Sequence, residues 1–126
     1  MKMVIGGAYQ GKEEYARQEY PEIQWIDGAS CEFGEIFSCA GILHFDEYIR
    51  RWLLKNEAEH AADLVEQMAE QNPELIIVTT EIGCGLVPID ARERQYRECV
   101  GRICTNLAAH AERVDRVQCG IGSRIK

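Results

Sequence analysis

Residues Val4 to Tyr15 read VIGGAYQGKEEY. Met3, Val4 and Ile5 form an apolar run that ends on Gly6-Gly7, and Gly11-Lys12 then opens a charged, helix-compatible segment. This is the outline of a phosphate-binding loop, G-x-x-x-x-G-K-[ST]. In that pattern glycines let backbone N–H groups turn onto phosphate oxygens, the lysine reaches the terminal phosphates, and the next hydroxyl holds Mg²⁺. Gly6, Gly7, Gly11 and Lys12 satisfy it, with Ala8, Tyr9 and Gln10 supplying backbone N–H groups. Glu13 stands where the hydroxyl belongs and brings a negative charge toward a negative ligand.

Outward from the loop, strand and helix signals alternate. Lys2 to Ile5 predicts a buried strand, and about Lys12 to Tyr20 a helix stopped by Pro21. Ile23 to Ile26 predicts a second strand ending at the Asp27-Gly28 turn. Ala29 to Gly41 reads as a loop with short helical turns. His44 to Leu54 carries Phe45, Tyr48, Ile49, Trp52 and Leu53 at helical spacing. Asn56 and Glu59 predict a capping box for a helix that ends before Pro73. Leu75 to Thr79, LIIVT, is the β-branched run of a strand buried on both faces, expected at the centre of the sheet. After the turn Glu81 to Pro88, a second capping box at Asp90 and Glu93 opens a long helix with Tyr96, Val100, Ile103 and Leu107 as its stripe. Val114 to Cys119 predicts the last strand, followed by a basic tail.

Alternating strands and helices predict one α/β domain, residues 1–126, with a mostly parallel sheet and ligands beyond the carboxyl ends of the strands. The glycines Gly6, Gly7, Gly11, Gly28, Gly83, Gly85, Gly120 and Gly122 all follow predicted strands, at the edge where backbone approaches a ligand. With 126 residues the chain fits one core. Its 21 acids against 14 Lys and Arg give a net charge of −7, which argues against a nucleic-acid partner. No signal segment and no long apolar run appears, and no two of the six cysteines stand in C-x-x-C spacing. A cytoplasmic protein with reduced thiols and no membrane contact is expected.

Several side chains are candidates for chemistry. Asp27 is either a Mg²⁺ ligand, directly or through water, or the first residue of an ordinary turn. Glu81, after the central strand, is a metal or hydroxyl partner or an exposed loop charge. His44 is a nucleophile, a general base or a structural histidine. Arg94, Arg97 and Arg102 each follow an acid by four residues and read as helix pairs. Arg92 lacks such an acid and is the best phosphate contact of the set.

GGAYQGK near the start, TTEIGCGLVP after the central strand, and RQYRECVGRICTNLAAHAERV with CGIGSRIK at the end resemble the bifunctional adenosylcobinamide kinase/adenosylcobinamide-phosphate guanylyltransferase family. The resemblance lies at the beginning and in the later part of the chain. It implies a P-loop NTPase-like three-layer fold that forms homo-oligomers. It also implies GTP or ATP and Mg²⁺ as cofactors, and a corrinoid substrate that is phosphorylated and then guanylylated through a covalent guanylyl-histidine. The Gly6–Lys12 loop would cradle the nucleotide, with Glu81 at the edge of the site. The chain departs from the pattern at Glu13, and it is short by the segment that carries the guanylylated histidine. His44 is therefore a candidate on chemical grounds. The alternative is a catalytically inactive nucleotide- or anion-binding relative with a regulatory or structural role.

Overall fold

β-Branched and other apolar runs too short to make helices become strands, and the amphipathic segments between them become the helices that cover the sheet. The computed structural model describes residues 1–81 and 90–126. Gly83, Gly85 and most of the Glu81–Pro88 turn lie outside the described residues. The order is β1 (Lys2–Gly6), α1 (Lys12–Glu19), β2 (Trp25–Asp27), a 3₁₀ turn (Phe33–Phe37), β3 (Gly41–Leu43) and α2 (Phe45–Trp52). A second 3₁₀ turn (Ala58–His60) leads into α3 (Ala61–Gln71), then β4 (Ile76–Thr80), α4 (Ala91–His110), β5 (Arg113–Gln118) and β6 (Ile121–Arg124).

The strands lie in the order β2-β3-β4-β1-β5-β6, all parallel except β6, which runs antiparallel to β5. The expected α/β class and mostly parallel sheet are observed. β4 lies inside the sheet between β3 and β1, as its apolar run predicts, with Ile77 fully buried. One face packs Val4, Leu43, Val78 and Val117 against Ala16 of α1. The other packs Met3, Ile77 and Val114 against α2, α3 and α4 through Phe45, Leu64, Val100 and Leu107. Among the described residues the sheet is thus a middle layer with one helix on one side and three on the other. The five cysteines among the described residues are unpaired. None of the described helices is long and apolar enough to cross a membrane.

Several expectations need correction. β2 starts at Trp25 rather than Ile23 and runs on to Asp27. The stretch read as a loop to Gly41 conceals β3, whose three residues, all buried, are too few to show a period. Asn56 does not cap the following helix. Its side-chain amide donates instead to the Trp52 carbonyl (3.0 Å) at the end of α2, which also accepts from the Lys55 and Asn56 N–H groups, and α3 begins only at Ala61. Asp90 does cap α4, accepting from the Arg92 N–H at 2.7 Å, but Glu93 does not complete the box because its carboxylate pairs with Arg50 at 3.1 and 3.3 Å. The basic tail is in part the edge strand β6.

Candidate functional site

The glycine loop leaves the carboxyl end of β1 and is tied to its neighbours on both sides. Gly6 has no room for a side chain, since a Cβ there would stand 2.7 Å from the Val117 carbonyl oxygen of β5. Its own carbonyl accepts from the Glu81 N–H at 2.6 Å, just past the end of β4. Gln10 holds the other side: its side-chain oxygen accepts from the Cys119 N–H (2.7 Å) and its carbonyl from the Gly120 N–H (2.8 Å), both in the β5–β6 turn. Tyr9 and Gly11 turn through left-handed backbone, φ 61° and 83°. Lys12 begins α1 and folds back to donate to the Gly7 carbonyl at 3.3 Å. Burial lowers its pKa, opposed by the negative charges of Asp46 and then Glu13.

Two further strands end beside this loop. β2 and β3 pair in parallel with Asp27 opposite Leu43, so Asp27 and His44 emerge side by side. Gly28 permits the close approach, donating its N–H to the Leu43 carbonyl at 2.7 Å. Asp27 Oδ1 accepts from the Ala29 N–H (2.9 Å) and lies 2.9 Å from His44 Nδ1. The Ala29 N–H, then His44, hold the Asp27 carboxyl below its ordinary range, so it stays ionised and can only accept. His44 Nδ1, facing an acceptor, therefore carries a proton. His44 itself is left-handed, φ 54° and ψ 46°, a strained conformation for a residue with a Cβ. Its Nε2 lies 3.6 Å from Glu13 Oε2, while Glu13 Oε1 accepts from Arg17 at 3.3 Å.

Tyr9, Lys12, Glu13 and His44 thus line one cavity of about 400 Å³, floored by Leu43 and Val78. Candidates from two separate stretches of sequence line it, Tyr9 to Glu13 of the loop and His44, and Asp27 lies behind His44 at 2.9 Å. Glu81 reaches the root of the loop through its backbone, and its carboxylate accepts from Arg116 Nε at 3.1 Å. Arg92 does not join the loop cavity. It sits in the first turn of α4, in a separate depression of about 650 Å³ with Arg50, Leu54 and Tyr96.

Two residues of the site, Asp46 and Arg116, were missed in sequence, and Gln10 was read only for its backbone N–H and not for its side chain. Asp46 is only 8% exposed, accepts from the Thr80 N–H at 3.3 Å, and is the foremost charge acting on Lys12. In sequence it is one of two acids in the first turn of a helix, and nothing marks it as inward-facing. Arg116 and Gln10 act through partners 35 and 109 residues away, separations no local pattern reports.

A profile of the CobU family, described as cobinamide kinase / cobinamide phosphate guanyltransferase, matches residues 36–125. A stretch of 52 residues is 42% identical to the bifunctional adenosylcobalamin biosynthesis protein CobU of Salmonella typhimurium strain LT2, and equally to that of Escherichia coli strain K12. That stretch covers 41% of this chain and 29% of each relative. The profile begins beyond the glycine loop and takes in the middle of the chain, where the motif resemblance gave no alignment. Most of the chain matches, and the chain belongs to the cobinamide kinase / cobinamide phosphate guanyltransferase family.

Proposed function

We propose that the chain binds GTP or ATP by its phosphates on the Gly6–Lys12 loop and transfers a phosphoryl or guanylyl group to adenosylcobinamide or its phosphate. The observation that carries this reading is the shared cavity, in which Lys12 and the Asp27-oriented His44 line the same space. Backbone N–H groups of the loop and the start of α1 receive the phosphates, where the helix end favours negative charge. Lys12 exchanges its 3.3 Å bond to Gly7 for a charge-assisted bond to a phosphate oxygen. In phosphoryl transfer the acceptor hydroxyl oxygen attacks the terminal phosphorus and the bridging P–O bond breaks. The nucleoside diphosphate leaves with the electron pair, and the hydroxyl proton is released to water. The contribution of the protein is positioning and charge stabilisation.

Mg²⁺ in such loops is held by the hydroxyl after the lysine. Here that position is Glu13, whose carboxylate faces an imidazole nitrogen. A mixed nitrogen and oxygen pair does not match an ion that demands near-octahedral oxygen coordination, and none of the steps above runs through Mg²⁺. Glu13 also favours a second reading, a relative that binds a nucleotide or anion without turnover.

Calorimetry with GTP and ATP tests the binding, and incubation of adenosylcobinamide with phosphorus-labelled nucleotide tests the transfer. The proposal expects binding that Lys12→Ala weakens at least tenfold, together with labelled corrinoid. Binding without labelled product leaves the second reading standing. No binding of either nucleotide, with or without divalent ions, removes both.

A further inference from the structure

Tyr9 is the most exposed large apolar side chain among the described residues, at 103%, so its ring packs against no other part of the fold. Its backbone is left-handed at φ 61°, a conformation that crowds a bulky residue and that glycine takes freely. Neither feature serves stability. A ring left in water gains nothing from burial, and the strained backbone persists only because the loop around it is clamped. The clamp is Gln10 bonded to Cys119 and Gly120 on one side of the turn, and the Gly11 carbonyl accepting from the Tyr15 N–H at 3.0 Å. Strain held in place in this way points to function when the residue faces a site.

Tyr9 faces one. It lines the cavity of Lys12 and His44, and its full exposure puts the ring at the mouth, away from the Leu43 and Val78 floor. The cavity is about 400 Å³, and the phosphates of a nucleotide would take part of it. Drug-sized ligands already occupy roughly 300–1,000 Å³, and a corrinoid is larger than these. Only the side chain that bears its acceptor hydroxyl can enter, so the macrocycle stays outside, against whatever stands at the mouth. The nucleobase does not fit the same contact. Tyr9 is on the loop that grips the terminal phosphates, and the remaining phosphate and the ribose separate the base from that end. A corrin ring is a flat conjugated face edged with methyl groups and amides. Tyrosine meets it with a rigid apolar face and a hydroxyl at its tip, at low cost in ordering.

We infer that Tyr9 is a specificity-determining residue for the acceptor, stacking its ring on the corrin macrocycle at the mouth of the cavity while the acceptor hydroxyl reaches the terminal phosphate. This rests on the phosphate-binding reading of the Gly6–Lys12 loop and on a corrinoid acceptor.

The test compares three variants of the full chain. Tyr9→Ala removes the ring and keeps a Cβ on the left-handed backbone, Tyr9→Gly removes both, and Tyr9→Phe keeps the ring. Equilibrium dialysis measures adenosylcobinamide binding with and without GTP, and calorimetry measures GTP binding. Tyr9→Ala and Tyr9→Gly are expected to weaken adenosylcobinamide binding about tenfold, and Tyr9→Phe by less than about threefold, because the ring face carries the contact. In turnover the loss is expected in KM for adenosylcobinamide rather than in kcat. Urea denaturation is expected to show Tyr9→Ala as stable as the wild type, because the ring packs on nothing. Tyr9→Gly is expected to be more stable than Tyr9→Ala, because relief at positive φ outweighs the added freedom of the unfolded chain.

Undiminished adenosylcobinamide binding in Tyr9→Ala overturns the inference. So does a loss of GTP affinity in Tyr9→Ala equal to its loss of corrinoid affinity, which would put the ring on the nucleotide. Lower stability or an altered sedimentation coefficient in Tyr9→Ala overturns it as well, by giving the ring a place in the fold or between copies of the chain. Failure of the wild type to bind adenosylcobinamide under either condition overturns it even where GTP binds. If GTP does not bind the wild type, the phosphate reading fails, and the dialysis without GTP then decides the Tyr9 contact.

Discussion

Gly28→Ala is the substitution that most directly tests how the Asp27–His44 pair is built. The backbone at Gly28 is not left-handed, so the glycine is required only by closeness. A Cβ there would stand 2.4 Å from the His44 carbonyl oxygen and 2.9 Å from that of Leu43, where ordinary contact begins at 3.4 Å. Both obstacles are backbone, at the end of β3 and at the residue that leads into α2, and cannot rotate aside, so the turn must retreat by about 1 Å. That movement lengthens the 2.9 Å contact between Asp27 Oδ1 and His44 Nδ1 to about 3.9 Å, beyond hydrogen bonding. It also strains the 2.7 Å bond from the Gly28 N–H to Leu43. Losing one partly exposed charge-assisted bond and weakening one backbone bond costs about 2–3 kcal/mol. The reduced freedom of the unfolded chain returns about 0.4–1 kcal/mol. Urea denaturation is expected to show a net loss of about 2 kcal/mol. Long-range ¹H–¹⁵N spectra of the His44 ring are expected to show the Nδ1–H tautomer giving way to a mixture. Asp27→Asn serves as comparator, because it alters the acceptor without the steric push. An unchanged denaturation midpoint together with unchanged ring shifts in Gly28→Ala would refute the reasoning.

Two further outcomes follow from the packing and the pH behaviour. Ile77→Ala, at a fully buried position of β4, is expected to cost about 2–5 kcal/mol in urea denaturation, and a smaller loss would mean that the sheet centre can collapse around the cavity. Tyr15 donates to Asp115 at 2.7 Å, and that bond pushes its pKa up from 10.0 to about 12. A raised pKa in the fold means stability that is complete below about pH 10 and lost as pH rises toward 12, so the wild type is expected to weaken more steeply than Tyr15→Phe in that window. Parallel profiles for the two proteins would contradict this.

How far the sequence could be read depends on whether a feature is local. The strand, glycine turn and helix from Lys2 to Glu19 are written in consecutive residues, and the structure follows them closely. LIIVT was legible as an inner strand because only a strand covered on both faces tolerates five such residues in a row. β3 was not, because Gly41–Leu43 is too short for periodicity and becomes a strand only by lying between β2 and β4. At the site, Asp27 and His44 were legible as chemistry but not as a pair, since their meeting depends on that hidden strand. Asp46 was illegible because a helix-start acid looks the same whether it faces water or Thr80. Asn56 misled because one amide can serve the end of one helix or the start of the next, and here it turns back to the Trp52 carbonyl at the end of α2.

The bonds between Gln10 and the Cys119–Gly120 turn bear on when the site comes into being. The loop is synthesised well before the residues that hold its outer half, which follow 109 positions later. Its parent strand β1 pairs only with β4 and β5. A nascent chain lacking β5 and the turn beyond it has the glycines and Lys12 but no partners to fix their shape, and such non-local pairing forms late. Ligand binding during synthesis is therefore expected to begin as a step once the Cys119–Gly120 turn has docked, with no gradual rise as earlier segments appear.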